Sequence, residues 1–411
     1  MPPQKRPRSS SPASPKAKTA LSSPAAAVAA AAAARASSAL GAASPKKFGS
    51  PVQKALSSPV APPALSSPQK GGKKAAAPAV AAGSCDPDLP MTPDGVIYHL
   101  ACKSSQLADK IVLVGDPGRV EVVAAQFDKN SITFRGSHRE INIITGKYKG
   151  TPVSCLSTGM GTDNVEIVIN EIHALKEYNI TTHTWLSNKE RKPGAVHLIR
   201  IGTCGSPRDD VSVGTLAVSN HAIGMDNTCR YYQEPEANKA ASVKALAKAA
   251  NATQLGSVGV YATKAHQDVV DAIVNSVEAH NKSKKAAADK QAYVVGTTAS
   301  GSGFYGCQGR AVGQFRGRLT VPDLVDELGS IRFPVGSGKN AQVEKVVNIE
   351  MENSALCYLS NALGYKAGTV CAIIARRAGA LREFATPEVA KRTLANAIVI
   401  ALDALVTVPA S

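Results

Sequence analysis

The residues that most clearly point to chemistry are arginines placed at the ends of apolar segments. Arg200 lies in the run 198–201 (Leu-Ile-Arg-Ile), and Gly-Thr-Cys-Gly follows at 202–205. Burial of an unpaired guanidinium is strongly unfavourable, so Arg200 predicts an anion at the carboxyl end of this strand. Ligands bind at that end in parallel α/β sheets, and glycines let backbone N–H groups approach an oxyanion. An arginine that reaches solvent from an edge strand is the alternative interpretation.

A second arginine stands in a similar setting. Residues 110–114 (Lys-Ile-Val-Leu-Val) have a strand pattern, Gly115 begins a turn, and Arg119 opens a helical pattern over 119–127. A glycine turn between a strand and a helix start favours anion binding. The motif is neither a G-x-x-x-x-G-K-S/T loop nor a G-x-G-x-x-G fingerprint, so it does not support a nucleoside triphosphate or a dinucleotide cofactor.

Three further clusters combine charged, aromatic and small residues. They are 137–140 (Ser-His-Arg-Glu), 304–310 (Phe-Tyr-Gly-Cys-Gln-Gly-Arg) and 350–352 (Glu-Met-Glu). Each has an ordinary alternative interpretation: a surface ion pair between Arg139 and Glu140, a solvated glycine-rich loop, and a helix-start carboxylate beside a core methionine. Taken singly, the clusters leave these alternatives open.

The elements that must position these residues alternate between strand and helix patterns. Strand-like segments, among them 141–147, 151–157, 256–262, 291–299, 341–350 and 368–375, alternate with helix-like segments such as 163–177, 264–280, 351–363 and 386–405. Polar stretches at 188–194 and 281–290 are typical of exposed loops. The alternation predicts one α/β domain over 91–411 with a mostly parallel or mixed sheet.

Residues 1–90 form a separate tail of Ala, Ser, Pro and Lys. Residues 1–85 contain 12 Lys or Arg and no acid, which leaves 35 basic and 31 acidic residues for the remainder. Such a composition predicts disorder. The segment 5–8 (Lys-Arg-Pro-Arg) is typical of nuclear localisation, and Ser-Pro-Lys-Lys at 44–47 resembles linker-histone tails that meet phosphates. An organelle transit peptide and a dispensable extension remain alternatives.

The cysteine pattern and the hydropathy bear on location. The eight cysteines include no C-x-x-C pair, which favours buried thiols in a reducing compartment over disulfides or a zinc site. The sequence contains no run of about 18 apolar residues, so no membrane span is predicted. The expected location is the cytoplasm, with the nucleus or an organelle left open through the tail. Nucleic acid is an expected partner only if that tail binds it.

Four of the motifs, in their order along the chain, resemble the nucleoside phosphorylase family of the hexameric or dimeric type. They are 115–119, 200–205, 304–310 and 350–352, and the resemblance covers roughly residues 96–407. It implies a mixed, partly barrel-like central sheet flanked by helices, and a pentosyltransferase that needs no cofactor.

The resemblance implies a phosphate site built from several segments. Positions that hold phosphate in the family match Gly115, Arg119, Arg200 and Thr203, and an arginine lent by a neighbouring subunit matches Arg139. Forked guanidiniums bind oxyanions through paired hydrogen bonds, which suits a dianion.

A ribose site is implied by three other positions. Met351 matches a residue that packs on the sugar, and Glu352 matches one that accepts hydrogen bonds from the 2′ and 3′ hydroxyls. His99 matches a histidine that a neighbouring subunit lends to the 5′-hydroxyl. A single histidine in a loop has, by itself, no functional meaning in most proteins.

The base pocket resembles that of the pyrimidine branch. Phe304 matches a residue that stacks on the ring, and Gln308 and Arg310 match residues that bond its carbonyls and N3. The purine branch carries an aspartate after the strand matching 371–375, where this chain has Arg-Arg at 376–377. Cationic donors suit a departing uracil anion, whereas a carboxylate repels it. The first of these two arginines departs from the family pattern.

The activity implied is phosphorolysis of uridine to uracil and ribose 1-phosphate in pyrimidine salvage, with deoxyuridine and thymidine left open. Enzymes accelerate such a reaction mainly by positioning the reactants and stabilising charge. The expected catalytic residues are therefore Arg119, Arg200, Gln308 and Arg310. The resemblance also implies a homo-oligomer with a dimer as its minimal unit, a hexamer being left open, and a monovalent or divalent metal cation held by Glu140 at the subunit interface. The serine expected beside that cation is replaced by Asn164.

Two other functions stay open at this stage. One is a purine nucleoside phosphorylase or a nucleosidase of the same fold, although water as the nucleophile would leave three arginines unexplained. The other is a chromatin-associated binding protein with an inactive domain, suggested by the tail. The near-neutral charge of the remaining chain argues against direct nucleic-acid binding by that part.

Overall fold

The computed structural model describes residue 86 and residues 88–336, 338, 341–379 and 382–409. All but the last few positions of the predicted tail lie outside the described residues. The strands are β1 (Lys110–Val114), β2 (Phe134–His138), β3 (Ile141–Tyr148), β4 (Thr151–Ser157), β5 (Tyr178–Asn179), β6 (Thr184–Trp185), β7 (His197–Ser206), β8 (Leu216–Gly224), β9 (Tyr261–Lys264), β10 (Tyr293–Ser300), β11 (Arg332–Val335), β12 (Gln342–Glu350), β13 (Lys366–Arg376) and β14 (Glu383–Phe384). The α-helices are α1 (Pro117–Ala124), α2 (Thr162–Glu177), α3 (Ala241–Asn251), α4 (Gln267–Lys282), α5 (Leu324–Ser330), α6 (Asn353–Leu363) and α7 (Pro387–Thr407).

One mixed sheet contains these strands, apart from the short β5–β6 pair. Its order is β11-β12-β10-β8-β13-β7-β1-β4-β3-β2, with β9 beside β8 and β14 beside β13. Strand β1 is parallel to β4 and β7, whereas β13 is antiparallel to β8. An additional pairing of Ile349 in β12 with Gly205 in β7 closes β12, β10, β8, β13 and β7 into a small barrel. The prediction of a mixed, partly barrel-like sheet flanked by helices is confirmed.

Helices cover both faces of the parallel part of the sheet. Val112 and Val114 of β1 pack in a cluster with α4 and α7, whereas Ile111 and Leu113 pack in a second cluster with α2 and α6. Successive side chains of a strand point to opposite faces. The uninterrupted apolar sequence of β1 follows from this burial on both sides.

Some elements differ from the sequence-based expectation. The segment 256–262 is not a single strand, because a 3₁₀ turn occupies Gln254–Val258 and β9 begins at Tyr261. Helix α3 was not predicted, since its buried face consists of Val243, Leu246 and Ala250 within an Ala/Lys-rich stretch. Such a narrow apolar stripe gives a weak periodic signal.

The carboxyl end of α7 is held by two buried or half-buried lysines. Lys110 Nζ donates to the carbonyls of Leu405 and Val408 at 2.8 and 3.1 Å, and Lys366 Nζ donates to that of Pro409 at 2.9 Å. Cations are favourable at this end of a helix dipole. No helix in the described part of the chain combines the length and the apolar character that a bilayer span requires.

His197 makes this cluster sensitive to acid. Its Nε2 donates to the Gly194 carbonyl at 2.8 Å, and its Nδ1 lies 3.0 Å from Lys110 Nζ and therefore accepts from it. Burial, and then the charge of Lys110, lower the pKa of His197 to about 4. The unfolded chain, with an ordinary histidine pKa of about 6.5, takes up the proton first as the pH falls.

We therefore expect the free energy of unfolding to decrease between about pH 6.5 and pH 4, by up to roughly 3 kcal/mol from this residue. In His197→Gln, whose amide offers a similar donor and acceptor, that decrease should be smaller. Urea unfolding at a series of pH values measures it. His183→Asn on the β5–β6 hairpin is the control and should follow the wild-type curve. Superimposable curves for wild type and His197→Gln would contradict the prediction.

Candidate active site

A cavity of about 700 Å³ opens at the carboxyl ends of β1, β4, β7, β10, β12 and β13. Parallel strands of an α/β sheet place their ligand-binding loops at this edge. Its walls include most of the residues singled out from the sequence, which are Gly115, Arg119, Glu140, Arg200, Thr203, Phe304, Gln308, Arg310, Met351 and Glu352. His99 and Arg139 are not among them. Two of the segments expected to hold one anion, 115–119 and 200–205, therefore face one cavity, whereas Arg139 does not line it.

Arg200 is buried at the barrel end, with 4% of its surface exposed. Its Nη1 lies 2.9 Å from a carboxylate oxygen of Glu350, and its Nη2 donates to Glu352. Burial alone would lower the pKa of Arg200, but the carboxylates of Glu352 and Glu350 outweigh burial and raise it. The partner of this guanidinium is thus a pair of the chain's own carboxylates, which the sequence reasoning did not foresee.

Arg119 approaches the same end of the cavity from α1. Its Nη1 donates to the Ile201 carbonyl at 3.2 Å, and burial, followed by the repulsion of Arg200, lowers its pKa. The amino end of α1 is capped by Asp116, whose carboxylate accepts from the Gly118 N–H at 2.8 Å. The Gly118 N–H, one donor of the anion site expected at the start of this helix, is therefore already bonded to Asp116. Two nearby guanidiniums that repel one another favour an anion between them.

The carboxylates of Glu350 and Glu352 have different tasks. Glu350 accepts from the hydroxyl of Ser300 at 2.5 Å and from the backbone N–H groups of Glu352 and Asn353, so it fixes the start of α6. Glu352 accepts from the Gly161 N–H at 2.9 Å. Burial, and then the neighbouring Glu350, raise the pKa of Glu352, while Arg200 opposes this shift. Glu352 faces the cavity, where a hydroxyl-bearing ligand would compete for its oxygens.

On another part of the cavity wall, the Arg310 side chain contacts both Phe304 and Gln308. The Arg310 guanidinium carbon lies 3.9 Å from the Phe304 ring centroid, and its Nη1 donates to the Phe304 carbonyl at 2.9 Å and to Gln308 Oε1 at 2.5 Å. Gln308 is buried, and Gly309 has a positive φ of 67° that turns the loop. Burial lowers the pKa of Arg310. The prediction that these three residues act together is consistent with this geometry.

Arg377 is the second of the two arginines that stand where the purine branch carries an aspartate. Burial, and then the charges of Arg310 and Arg382, lower its pKa to about 10. Its Nη1 is buried and has no hydrogen-bond partner among the described residues. Its side chain packs at Gly205, a wall residue of the cavity, where an added Cβ would lie 3.0 Å from Arg377 Cδ. Arg377 therefore adds positive charge beside Arg310 and the cavity wall.

His99 and Arg139 lie together on the surface, away from the walls of their own chain's cavity. Buried Glu171 accepts from the backbone N–H of His99 at 2.9 Å and from its Nδ1 at 2.6 Å, which leaves Nε2 outward. Arg139 Nη2 donates to the hydroxyl of Tyr98 at 3.1 Å. The alternative ion pair of Arg139 with Glu140 is not found among the described residues. Glu171 fixes the histidine ring for an outward contact.

The residues of one chain do not by themselves form a cation site at Glu140. Within the described ranges, no group of three or more His, Cys, Asp or Glu side chains is placed to hold a metal ion. Asn164 Nδ2 donates to the Met160 carbonyl at 2.7 Å, so that oxygen is already engaged. A single carboxylate offers too few oxygens for a closed cation site.

Other wall residues lay outside the candidate list. Met160 is 73% exposed between two glycines of positive φ, Gly159 at 75° and Gly161 at 97°, and Phe384 is 79% exposed on β14. The Gly-Met-Gly sequence after the β4 pattern was a usable signal for Met160, because paired glycines at a strand end favour a ligand-facing turn. Phe384 had no comparable signal.

Comparison with known proteins gives one consistent class. The Phosphorylase superfamily matches residues 109–407. The chain is 29% identical over 291 residues to a uridine phosphorylase of Thermococcus kodakarensis, covering 71% of this chain and 81% of that protein. A purine nucleoside phosphorylase of the DeoD type from Clostridium perfringens is 31% identical over 135 residues, covering 32% of this chain and 50% of that protein.

Among solved structures, a Trypanosoma brucei nucleoside phosphorylase that shows uridine phosphorylase activity is 46% identical, with a TM-score of 0.74. The match covers 78% of this chain and 100% of that one. The fold, the cavity and these matches define the class of protein: the chain belongs to the phosphorylase superfamily. The expected membership in the family of nucleoside phosphorylases is thereby confirmed.

Proposed function

We propose that this chain is a uridine phosphorylase, which transfers the ribosyl group of uridine to inorganic phosphate and releases uracil. The observation that carries the proposal is one cavity whose walls combine the guanidiniums of Arg119, Arg200 and Arg310 with the buried carboxylates of Glu350 and Glu352. The relatives from Thermococcus kodakarensis and Trypanosoma brucei support the same activity.

Phosphate is assigned to the end of the cavity formed by Gly115, Arg119, Arg200 and Thr203. Backbone donors and forked guanidiniums bind the oxygens of a phosphate dianion and hold one of them against C1′ of the sugar. The ribose hydroxyls are assigned to Glu352, with Met351 packed on the ring. When a sugar hydroxyl donates a hydrogen bond to Glu352, the carboxylate neutralises the guanidinium of Arg200 less completely. Arg200 then attracts phosphate more strongly.

The base is assigned to Phe304, Gln308 and Arg310. In the reaction the C1′–N1 bond breaks with its electron pair moving to the uracil ring, and a phosphate oxygen forms the new bond to C1′. Negative charge grows on the base carbonyls, where Arg310 stabilises it and Gln308 orients the ring. The cationic environment around Arg377 favours this charge further. At 376–377 the chain has two arginines and no acid that could protonate a departing purine.

The test is uracil release from uridine by the full chain, with and without inorganic phosphate. We expect release only with phosphate, together with ribose 1-phosphate in equal amount. Uracil release at the same rate with and without phosphate would indicate a nucleosidase. Release of hypoxanthine from inosine at a higher kcat/KM than uracil from uridine would indicate a purine enzyme, and no release from any nucleoside would favour a binding protein.

Two copies of the chain are proposed to share their sites, with His99 and Arg139 of one copy completing the cavity of the other. Neither residue lines the cavity of its own chain, whereas Glu140, the neighbour of Arg139, lies at the cavity wall. A cation at this place would need oxygens from both copies around Glu140. A homodimer is the minimal unit of this proposal, and a hexamer built from three such dimers is compatible with it.

Mixing two inactive variants tests the sharing of sites. His99→Ala and Glu352→Gln should each have low activity alone, and a mixture dissociated and reassembled together should regain up to about one quarter of the wild-type activity. Half of the dimers would be mixed, and each would contain one intact site. A mixture of His99→Ala with Met351→Ala should recover similarly. Activity that never exceeds the sum of the two variants would contradict shared sites.

The two-part organisation is proposed with the catalytic domain over 91–411 and the tail over 1–90. A cytoplasmic protein in which the tail adds nuclear or organellar targeting, or nucleic-acid binding, is compatible with its composition.

A further inference from the structure

A belt of buried polar side chains runs around the inside of the barrel behind Arg200. It consists of Arg200 on β7, Thr369 on β13, Ser219 on β8, Thr298 on β10 and Asn348 on β12, and all but Arg200 have no exposed surface. The Ser219 and Thr298 hydroxyls bond to one another, and Thr298 donates to Asn348 Oδ1 at 2.8 Å. These bonds satisfy the two hydroxyls and Asn348 Oδ1, whereas Asn348 Nδ2 has no hydrogen-bond partner among the described residues.

The strand register places Thr369 between Arg200 and the rest of the belt. Thr369 is the register partner of Arg200 in the parallel β7–β13 pair, so the two side chains lie on one face. Val370 pairs with Val218 in the antiparallel β13–β8 pair, which brings Thr369 level with Ser219.

Arg200 extends along its own strand past Thr369. An added Cβ at Gly202 would lie 2.5 Å from Arg200 Nη1, and Nη1 donates to Cys371 Sγ at 3.4 Å. Gly202 and Cys371 are register partners, two residues further along than Arg200 and Thr369. The guanidinium end is therefore level with Cys371, and Nε lies further back along the side chain, between Cys371 and Thr369.

Two groups at this place lack hydrogen-bond partners among the described residues. They are the Nε–H of Arg200, a donor, and Oγ1 of Thr369, which both donates and accepts. Buried polar groups are rarely left unpaired, and a single buried water commonly joins two such groups when they are near neighbours. The Nε–H of Arg200 is a donor and Oγ1 of Thr369 can accept, and the two residues are register partners on neighbouring strands.

We propose that Thr369 is a positioning residue for Arg200: its hydroxyl accepts the Nε–H of Arg200 through one buried water. This contact fixes the rotation of the planar guanidinium, so that Nη1 and Nη2 stay aimed at Glu350, Glu352 and the anion end of the cavity. Thr369 lies behind the arginine and lines no part of the cavity. The identity of that anion as phosphate rests on the proposed function.

The test compares Thr369→Val, which removes the hydroxyl at constant shape, with Thr369→Ser, which keeps it. We expect the valine variant to raise the KM for phosphate about tenfold, as for one lost hydrogen bond to a charged group. Its kcat at saturating phosphate and its KM for uridine should stay within about twofold of wild type. The serine variant should retain the wild-type KM for phosphate, because the hydroxyl is preserved.

Thr393→Val on α7 is the matched control. Thr393 is also a buried threonine, with its hydroxyl donating to the Val389 carbonyl at 2.8 Å, and it lines no part of the active-site cavity. It should leave the KM for phosphate unchanged. A wild-type KM for phosphate in Thr369→Val would overturn the proposal, as would equal defects in the valine and serine variants, which would indicate packing alone.

Binding of inorganic phosphate, measured by calorimetry, separates this proposal from the proposed function. If the wild type binds phosphate but releases no uracil, the proposed function fails, while weaker phosphate binding by Thr369→Val still supports the positioning role. If the valine variant does not fold, Thr369→Ala and Thr369→Ser replace it as the pair, and equal phosphate affinities in these two would overturn the proposal. A wild type that binds no phosphate would also overturn it.

Discussion

Arg200→Met is expected to abolish phosphorolysis, with kcat/KM for phosphate falling by about 10³-fold or more, and to destabilise the fold. Two effects combine. The anion end of the cavity loses a charged donor that stabilises the attacking phosphate. In addition, Glu350 and Glu352, which are each about 3% exposed, lose the guanidinium that neutralises them. Removing one partner of a buried ion pair typically costs about 3–5 kcal/mol.

The pH dependence gives this prediction a second readout. Burial already raises the pKa of the Glu352 carboxyl, and without Arg200 the charge that opposes this shift in the folded state is gone. The variant should then be least stable at neutral pH and should recover part of the lost free energy of unfolding as the pH falls towards 5. Initial rates at varied phosphate concentration and urea unfolding at several pH values measure the two effects.

Arg208→Met is the matched control for Arg200→Met. Arg208 has a side chain only 10% exposed and is paired with Asp210, but it does not line the active-site cavity. Its replacement should preserve the KM for phosphate. Phosphorolysis by Arg200→Met within tenfold of wild type would remove Arg200 from the phosphate assignment.

Arg310→Ala is expected to reduce uridine turnover by about 10²-fold or more, mainly in kcat, because it removes a donor that stabilises the departing uracil anion. The affinity for phosphate should change little, since Arg310 lies on another part of the cavity wall. A uridine with an electron-withdrawing halogen at C5 has a better leaving group, so its turnover should suffer less. Steady-state rates with both substrates measure the difference.

Arg316→Ala controls for general disturbance of the same loop. Arg316 is exposed, belongs to the loop that follows Arg310, and does not line the cavity. It should retain wild-type rates with both nucleosides. An Arg310→Ala enzyme with near-wild-type turnover of uridine, or with equal losses for the two nucleosides, would contradict the role assigned to this arginine.

The sequence by itself predicted the class of fold and most of the cavity walls. Alternating strand and helix patterns are local signals, and the four motifs stand next to strand patterns whose carboxyl ends must share one edge of a parallel sheet. The walls of one cavity therefore contain, as expected, Gly115, Arg119, Arg200, Phe304, Arg310 and Glu352. Helix α3 was missed because its apolar stripe is narrow.

Only the tertiary structure decided how the charges inside that cavity are balanced. The sequence indicated an anion for Arg200, yet the chain supplies two of its own, Glu350 and Glu352, from positions about 150 residues away. The register of β7 and β13 decided that Thr369 lies beside Arg200, and the tertiary structure also decided that His99 and Arg139 do not line the cavity of their own chain. Residue types and local spacing predict which groups need partners. Which groups meet depends on strand order and register, and these follow from packing the whole chain into one core.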